Sequence, residues 1–147
     1  AVVFDLPPVA EVAREYIIEH GVASQVSAIG GDFTADGFPT DCDVAIMASN
    51  LPLYSQEIIA QVIRRTFEAL VTGGEMHLIG ETLHDDRSGP IGPALWGLAE
   101  AINGSTGMAH TEADCIGYFE AAGFEDVTVH EFIAGTLSRI VGTKPGG

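Results

Sequence analysis

A doubly wound α/β fold with a mostly parallel sheet is the architecture this sequence predicts, and three observations carry that expectation. Short apolar runs alternate along the chain with stretches of helical periodicity, the pattern of strands and helices laid down in turn. The runs AVVFDL, VSAIGG and DVAIMAS are continuous rather than alternating, as in strands covered on both faces. The last two runs, Asp126 to Phe132 and Thr136 to Gly142, are joined only by Ile133-Ala134-Gly135, so they must form an antiparallel pair at the C-terminus.

In chain order, Ala1 to Leu6 reads as a strand stopped by Pro7-Pro8. From Pro8 the positions Val9, Val12, Ala13, Tyr16 and Ile17 predict the buried stripe of a helix that runs to about His20 and stops at Gly21. Val26 to Gly31 and Asp43 to Ser49 are the next strands, with room for a further helix between them. Ser55 caps a helix buried through Ile59, Val62, Ile63, Phe67 and Leu70 and ended by Gly73-Gly74, with Arg64 and Arg65 facing out. Glu75 to Glu81 is a strand, HDDRSGPIGP a loop, and Pro93 to Ile102 a helix. Thr111 to Asp114 has the form of a helix start, with Cys115, Ile116 and Phe119 on its buried side and Gly123 as its stop. No repeat or low-complexity segment interrupts this order.

The totals narrow the function. The 147 residues suffice for one domain, and 46% hydrophobic content predicts a buried core. Six Lys+Arg against 21 Asp+Glu give a net charge of −15, which repels phosphate backbones and anionic bilayers, so neither nucleic acid nor membrane is an expected partner. Cys42 and Cys115 are too few for a disulfide framework and read as buried thiols in a reducing, cytoplasmic setting. Residue 1 already falls inside a strand, which predicts a piece of a longer protein.

Ligands of doubly wound sheets bind beyond the carboxyl ends of the strands. Asp5 is such an end, suited to accept from both hydroxyls of a ribose, although an acid before Pro7 also simply ends a strand. Gly30-Gly31-Asp32-Phe33 combines close backbone approach, an acceptor for an exocyclic amine and a ring face, or is only a turn. Taken in order, VVFDLPPV, GGDFTADGFP, DVAIMASNLPLYSQE, EALVTGGEMHLIGE and HTEADCIGYFEAAGF resemble the plant-type and bacterial O-methyltransferases that methylate phenols, flavonoids and polyketides, over nearly the whole chain.

That resemblance implies a Rossmann-like domain that takes S-adenosyl-L-methionine and releases S-adenosyl-L-homocysteine. Asp5 and Leu6 would lie at its ribose, Asp32 and Phe33 at its adenine, and Ala48 beside its adenosine. Asn50, Trp96 and Met108 would line the pocket of a small-molecule acceptor, and Glu81 falls at or next to an orienting catalytic acid. Two departures stand out. The family's first strand and GxGxG loop have no counterpart, so the sheet is expected to be incomplete at its N-terminus. The missing central strand, between Ala1 to Leu6 and Asp43 to Ser49, would come from another chain or by strand exchange, and an upstream domain would form a homodimer. Second, the family's His-Asp pair falls on Pro52-Leu53, which cannot take a proton; His110 is the nearest titratable substitute, unless it is only a solvated neighbour of a helix cap. A metal at His84, Asp85, Asp86 and His110 is not demanded by spacing. The leading expectation is methyl transfer to a hydroxyl of an aromatic or polyketide-like metabolite. The competing ones are a non-catalytic binder of cofactor or metabolite and a nucleotide-binding protein of another kind.

Overall fold

A computed structural model describes residues 1–146. They form two compact units, Ala1–Pro39 and the segment from Thr40 onward. In the first, strand β1 (Val2–Asp5) leads through helix α1 (Pro7–Glu19) to strand β2 (Ser27–Gly30), and the strands pair in parallel from Val2 opposite Ser27 to Asp5 opposite Gly30. Pro7 and Pro8 open α1 because first-turn amides need no helical acceptor, and the Leu6 carbonyl accepts from the amides of Val9 and Ala10. Arg14 Nε donates to the Ala28 carbonyl at 3.2 Å and ties the helix to β2.

The buried side of α1 differs from the expected stripe. Ala10 is fully buried with Ala13 and Ile17 half-buried beside it, whereas Val9, Val12 and Tyr16 are exposed. The helix is apolar around most of its circumference, so a face rotated by one position fits the 3.6-residue period equally well. Small Ala10 and Ala13 allow the closer approach to the strands. No helix forms between β2 and the next strand; residues 33–35 are a turn held by Asp32, whose Oδ1 accepts from the Thr34 amide and hydroxyl.

The second unit holds a four-stranded sheet in the order β3-β4-β8-β7. Strand β3 (Cys42–Ala48) runs parallel to β4 (Leu70–Gly80), and β7 (Glu125–Ile133) and β8 (Leu137–Thr143) complete it antiparallel, as their short connection requires. A separate parallel pair, β5 (Thr82–Leu83) and β6 (His110–Thr111), escapes sequence analysis because two-residue strands have no periodicity. Among the described residues, the ladder partner of β1 is β2 alone and that of β3 is β4 alone.

Helices α2 (Gln56–Ala69) and α4 (Glu112–Ala122) pack together against the sheet, and α3 (Ile91–Ile102) packs on a 3-10 turn, Leu51–Leu53. Ile59 and Ile63 of α2, Phe119 of α4, Leu78 of β4 and Ile140 of β8 are all fully buried. Each such side chain contributes roughly 1.5–3 kcal/mol of transfer free energy. The expected caps are present: Ser55 Oγ accepts from the Ile58 amide, and Thr111 with Asp114 forms a reciprocal capping box. Gly123, at φ +101°, ends α4 in the left-handed conformation that its position requires.

The end of α2 departs from expectation. The chain enters β4 directly at Leu70, and Gly73-Gly74 lie inside that strand, where pairing with β3 slips between Cys42 and Val44. Lys144 Nζ supplies the stop, donating to the Phe67 and Leu70 carbonyls at 2.8 and 2.7 Å. Of the two thiols Cys115 is buried, but Cys42 is only half-buried at the start of the edge strand β3.

Candidate functional site

In the first unit the strand register brings two expected elements together. Asp5 ends β1 opposite Gly30, and the Gly31 amide donates to the Asp5 carbonyl at 2.8 Å, so the Asp5 carboxylate and the 30–33 loop sit side by side at the carboxyl end of the pair. Asp5 Oδ1 accepts from the Leu6 amide at 2.7 Å, which fixes the carboxylate while the residue stays exposed. Leu6 is half exposed at the N-cap of α1. Gly31 is required by its own surroundings: a Cβ there would stand 2.5 Å from the Phe4 ring. Asp32 is exposed, with Oδ1 occupied by Thr34, and Phe33 is half-buried. This arrangement leaves an oriented, solvent-facing carboxylate of the kind that holds vicinal hydroxyls.

In the second unit the carboxyl ends of β3 and β4 present a matched pair. Ala48 stands opposite Ile79, and the Ser49 amide donates to the Ile79 carbonyl at 2.9 Å. Two residues beyond each, Asn50 and Glu81 leave the sheet, and both carry a buried side-chain oxygen, Asn50 Oδ1 and Glu81 Oε2, without a hydrogen-bond partner among the described residues. Buried acceptors left unpaired cost about 1–3 kcal/mol each, and a ligand bearing hydroxyl or amine protons would satisfy them. Ser49 adds backbone strain at this point with φ +60°. Ala48 is exposed.

A wall beside these residues is built from the 3-10 turn, α3 and residues 107–110. Gly107 lies so close to the turn that a Cβ would meet the Pro52 carbonyl oxygen at 2.4 Å, and the buried Gly97 of α3 lies against Ala109. Met108, between those contacts, is half-buried. Trp96 is on α3 but 51% exposed, on the apolar side with Leu95 and Ala99.

His110 is fully buried. Its Nε2 lies 3.0 Å from the Tyr54 carbonyl oxygen and its Nδ1 3.0 Å from the Tyr118 hydroxyl. Burial holds its pKa below the ordinary histidine range, against the opposing pull of the Tyr54 carbonyl and Asp114. Both nitrogens are engaged by protein atoms, so this is not the solvated neighbour of a cap that sequence analysis left open. Tyr54 and Tyr118 were missed; they stand 56 and 8 residues from His110, and no spacing rule connects them.

Two acids of the loop after β5 accept from backbone amides. Asp85 Oδ1 accepts from the Ala113 amide in the first turn of α4, and Asp86 Oδ1 accepts from the Ser88 amide. Among the described residues no group of three or more His, Cys, Asp or Glu is placed to hold a metal, and no helix is long and apolar enough to cross a membrane. Thr82, Ser138 and Glu112 form a further hydrogen-bonded chain, at 2.8 Å per link, beside a cavity of about 110 Å³.

The chain is similar in sequence and fold to known proteins. An O-methyltransferase domain model matches residues 1–125. The tetracenomycin polyketide synthesis 8-O-methyl transferase TcmO of Streptomyces glaucescens is 29% identical over 145 residues, 99% of this chain and 42% of that protein. The 3-hydroxy-5-methyl-1-naphthoate 3-O-methyltransferase of Streptomyces sahachiroi is 29% identical over 97% of this chain and 41% of its own length. The crystal structure of the S-adenosylmethionine-dependent methyltransferase SibL in its apo form superposes with a TM-score of 0.83 at 27% identity, over 99% of this chain and 43% of that one. The chain thus spans about two fifths of the length of the relatives it matches. With a domain match reaching from β1 through α4 to the start of β7, the chain belongs to the O-methyltransferase family.

Proposed function

We propose that the protein transfers a methyl group from S-adenosylmethionine to a hydroxyl of a small aromatic or polyketide-like molecule, the chemistry named for its relatives. The observation that carries this reading is the pair of unpartnered buried oxygens, Asn50 Oδ1 and Glu81 Oε2, at the ends of adjacent parallel strands. When bound, S-adenosylmethionine supplies an electrophilic methyl on a sulfonium centre. In the first unit Asp5, with Leu6 beside it, accepts from the ribose hydroxyls, and Asp32 and Phe33 meet the adenine. On the acceptor side Glu81 Oε2 takes the proton of the hydroxyl as its oxygen attacks, and Asn50 Oδ1 accepts from a second polar hydrogen of the same molecule. Trp96 and Met108 contribute apolar wall. Orientation of the two reactants supplies a large part of the acceleration, which suits a site without a histidine at Pro52-Leu53.

The same reading makes the described residues part of one cofactor-binding domain of a cytoplasmic homodimer that dimerises through an additional domain. Two supports stand behind the activity: the family match and the donor-seeking pair. Radiolabelled methyl transfer by the intact protein to a panel of hydroxynaphthoates and polyketide phenols tests it. Turnover that falls about 100-fold in Glu81→Gln, with cofactor affinity retained, is the expected result. Cofactor binding without turnover on any phenol would instead make the protein a binder.

A further inference from the structure

We propose that His110 is a positioning residue, which fixes the turn Leu51–Leu53 beside Asn50 through a one-directional chain of hydrogen bonds that runs from Tyr118 through His110 to the Tyr54 carbonyl. This rests on the reading that the turn borders the methyl acceptor.

The direction of each bond follows from its partners. A carbonyl only accepts, so the Tyr54 oxygen 3.0 Å from Nε2 requires the proton on Nε2. The neutral ring then has a lone pair on Nδ1, and the Tyr118 hydroxyl at 3.0 Å donates to it. Tyr54 precedes Ser55, the N-cap of α2, and Tyr118 lies on α4, so the chain of bonds ties the entry of α2 to α4. The turn is held at a second point by Gly107, three residues before His110, where only a residue without Cβ fits against Pro52. Residues 107–110 therefore clasp the turn by shape at one end and by a donated proton at the other.

Electrostatics keep the clasp in its neutral form. The groups facing the ring are Asp114 of α4, which favours charge, Arg87 of the loop after β5, which opposes it, and the Leu51 and Tyr54 carbonyls; burial outweighs them. Around Tyr118, burial and the neighbouring Asp114, Cys115 and Glu57 push the phenol up, so it stays a donor. A general base would need a nitrogen free to meet the acceptor, and here both are committed to the scaffold.

The test uses the intact protein. Side-chain ¹⁵N spectra of His110 should show the Nε2–H tautomer, unchanged between about pH 8 and about pH 6. Amide hydrogen exchange in residues 50–56 should rise about 10-fold or more in His110→Ala with β4 and β8 unaffected, and His110→Gln, which keeps an N–H within reach of the Tyr54 carbonyl, should restore most of the protection. Tyr118→Phe, which removes the donor to Nδ1 but no carbon, should loosen the same segment less and covers the case in which His110→Ala does not fold. An Nδ1–H tautomer, exchange in 50–56 unchanged in both His110→Ala and Tyr118→Phe, or exchange raised equally throughout the second unit would overturn the proposal. None of these readouts uses methyl transfer, so an absence of turnover would count separately, against the proposed activity.

Discussion

The first unit is read from sequence no less apolar than the second, yet buries far less of it. In the first, Ala10 is the buried apolar side chain, while Val2, Val3, Leu6, Val9, Val12, Tyr16, Ile18 and Ile29 are all exposed. In the second, β4, β8, α2 and α4 close over Ile59, Ile63, Leu78, Phe119 and Ile140 at 0% exposure. A two-stranded sheet with one helix offers each apolar run a single partner layer, whereas four strands under two helices form a core. The lesson is that a continuous apolar run predicts a strand and its parallel pairing, but not that its faces are covered within these residues. The cofactor-side candidates Asp5 and Asp32 lie in the sparsely packed unit, and Asn50 and Glu81 in the packed one.

Truncations sharpen the contrast most. Phe119→Ala should cost about 3–5 kcal/mol in denaturant unfolding, because the ring is fully buried against Phe124, with centroids 5.1 Å apart. Val12→Ala in the first unit should stay within about 0.5 kcal/mol. Comparable losses in both would mean that the exposed face of α1 is covered in solution. A smaller effect is expected at the helix start: Thr111→Ala removes one half of the capping box and should cost about 1 kcal/mol.

Acidification gives a third contrast. The pKa of His110 is lower in the folded chain than its unfolded value of 6.5. The unfolded state therefore binds more protons as pH falls below that value, and stability is lost until the folded ring also titrates. Denaturation midpoints measured from about pH 7.5 down to about pH 5 should fall more steeply for the wild type than for His110→Gln, which has no ring to protonate. Parallel pH profiles would remove His110 from the account of acid sensitivity.

Local chemistry was legible and long-range chemistry was not. Ser55, Thr111 with Asp114, and Gly123 act within four residues of themselves, and the Ile133 to Gly135 connection fixes its strand pair, so each could be read from spacing. The buried side of α1 could not, since Val9, Val12 and Tyr16 fit the helical period as well as Ala10, Ala13 and Ile17 do. Nor could the stop of α2, which depends on Lys144 arriving from β8, or the partners of His110, which arrive from two other elements. For the candidate site, Asp5 is legible because a strand end is visible as the end of an apolar run, whereas Asn50 and Glu81 are implied by the resemblance to the family. That two of them carry unpartnered oxygens is a property of packing alone.

Calorimetric titration of the intact protein with S-adenosylhomocysteine, for wild type, Asp5→Asn and Glu81→Gln, bears most directly on the division of labour between the units. Binding by the wild type, weakened about 10-fold or more in Asp5→Asn and left within about twofold in Glu81→Gln, is the expected outcome. No heat with the wild type, or equal losses in the two variants, would contradict it.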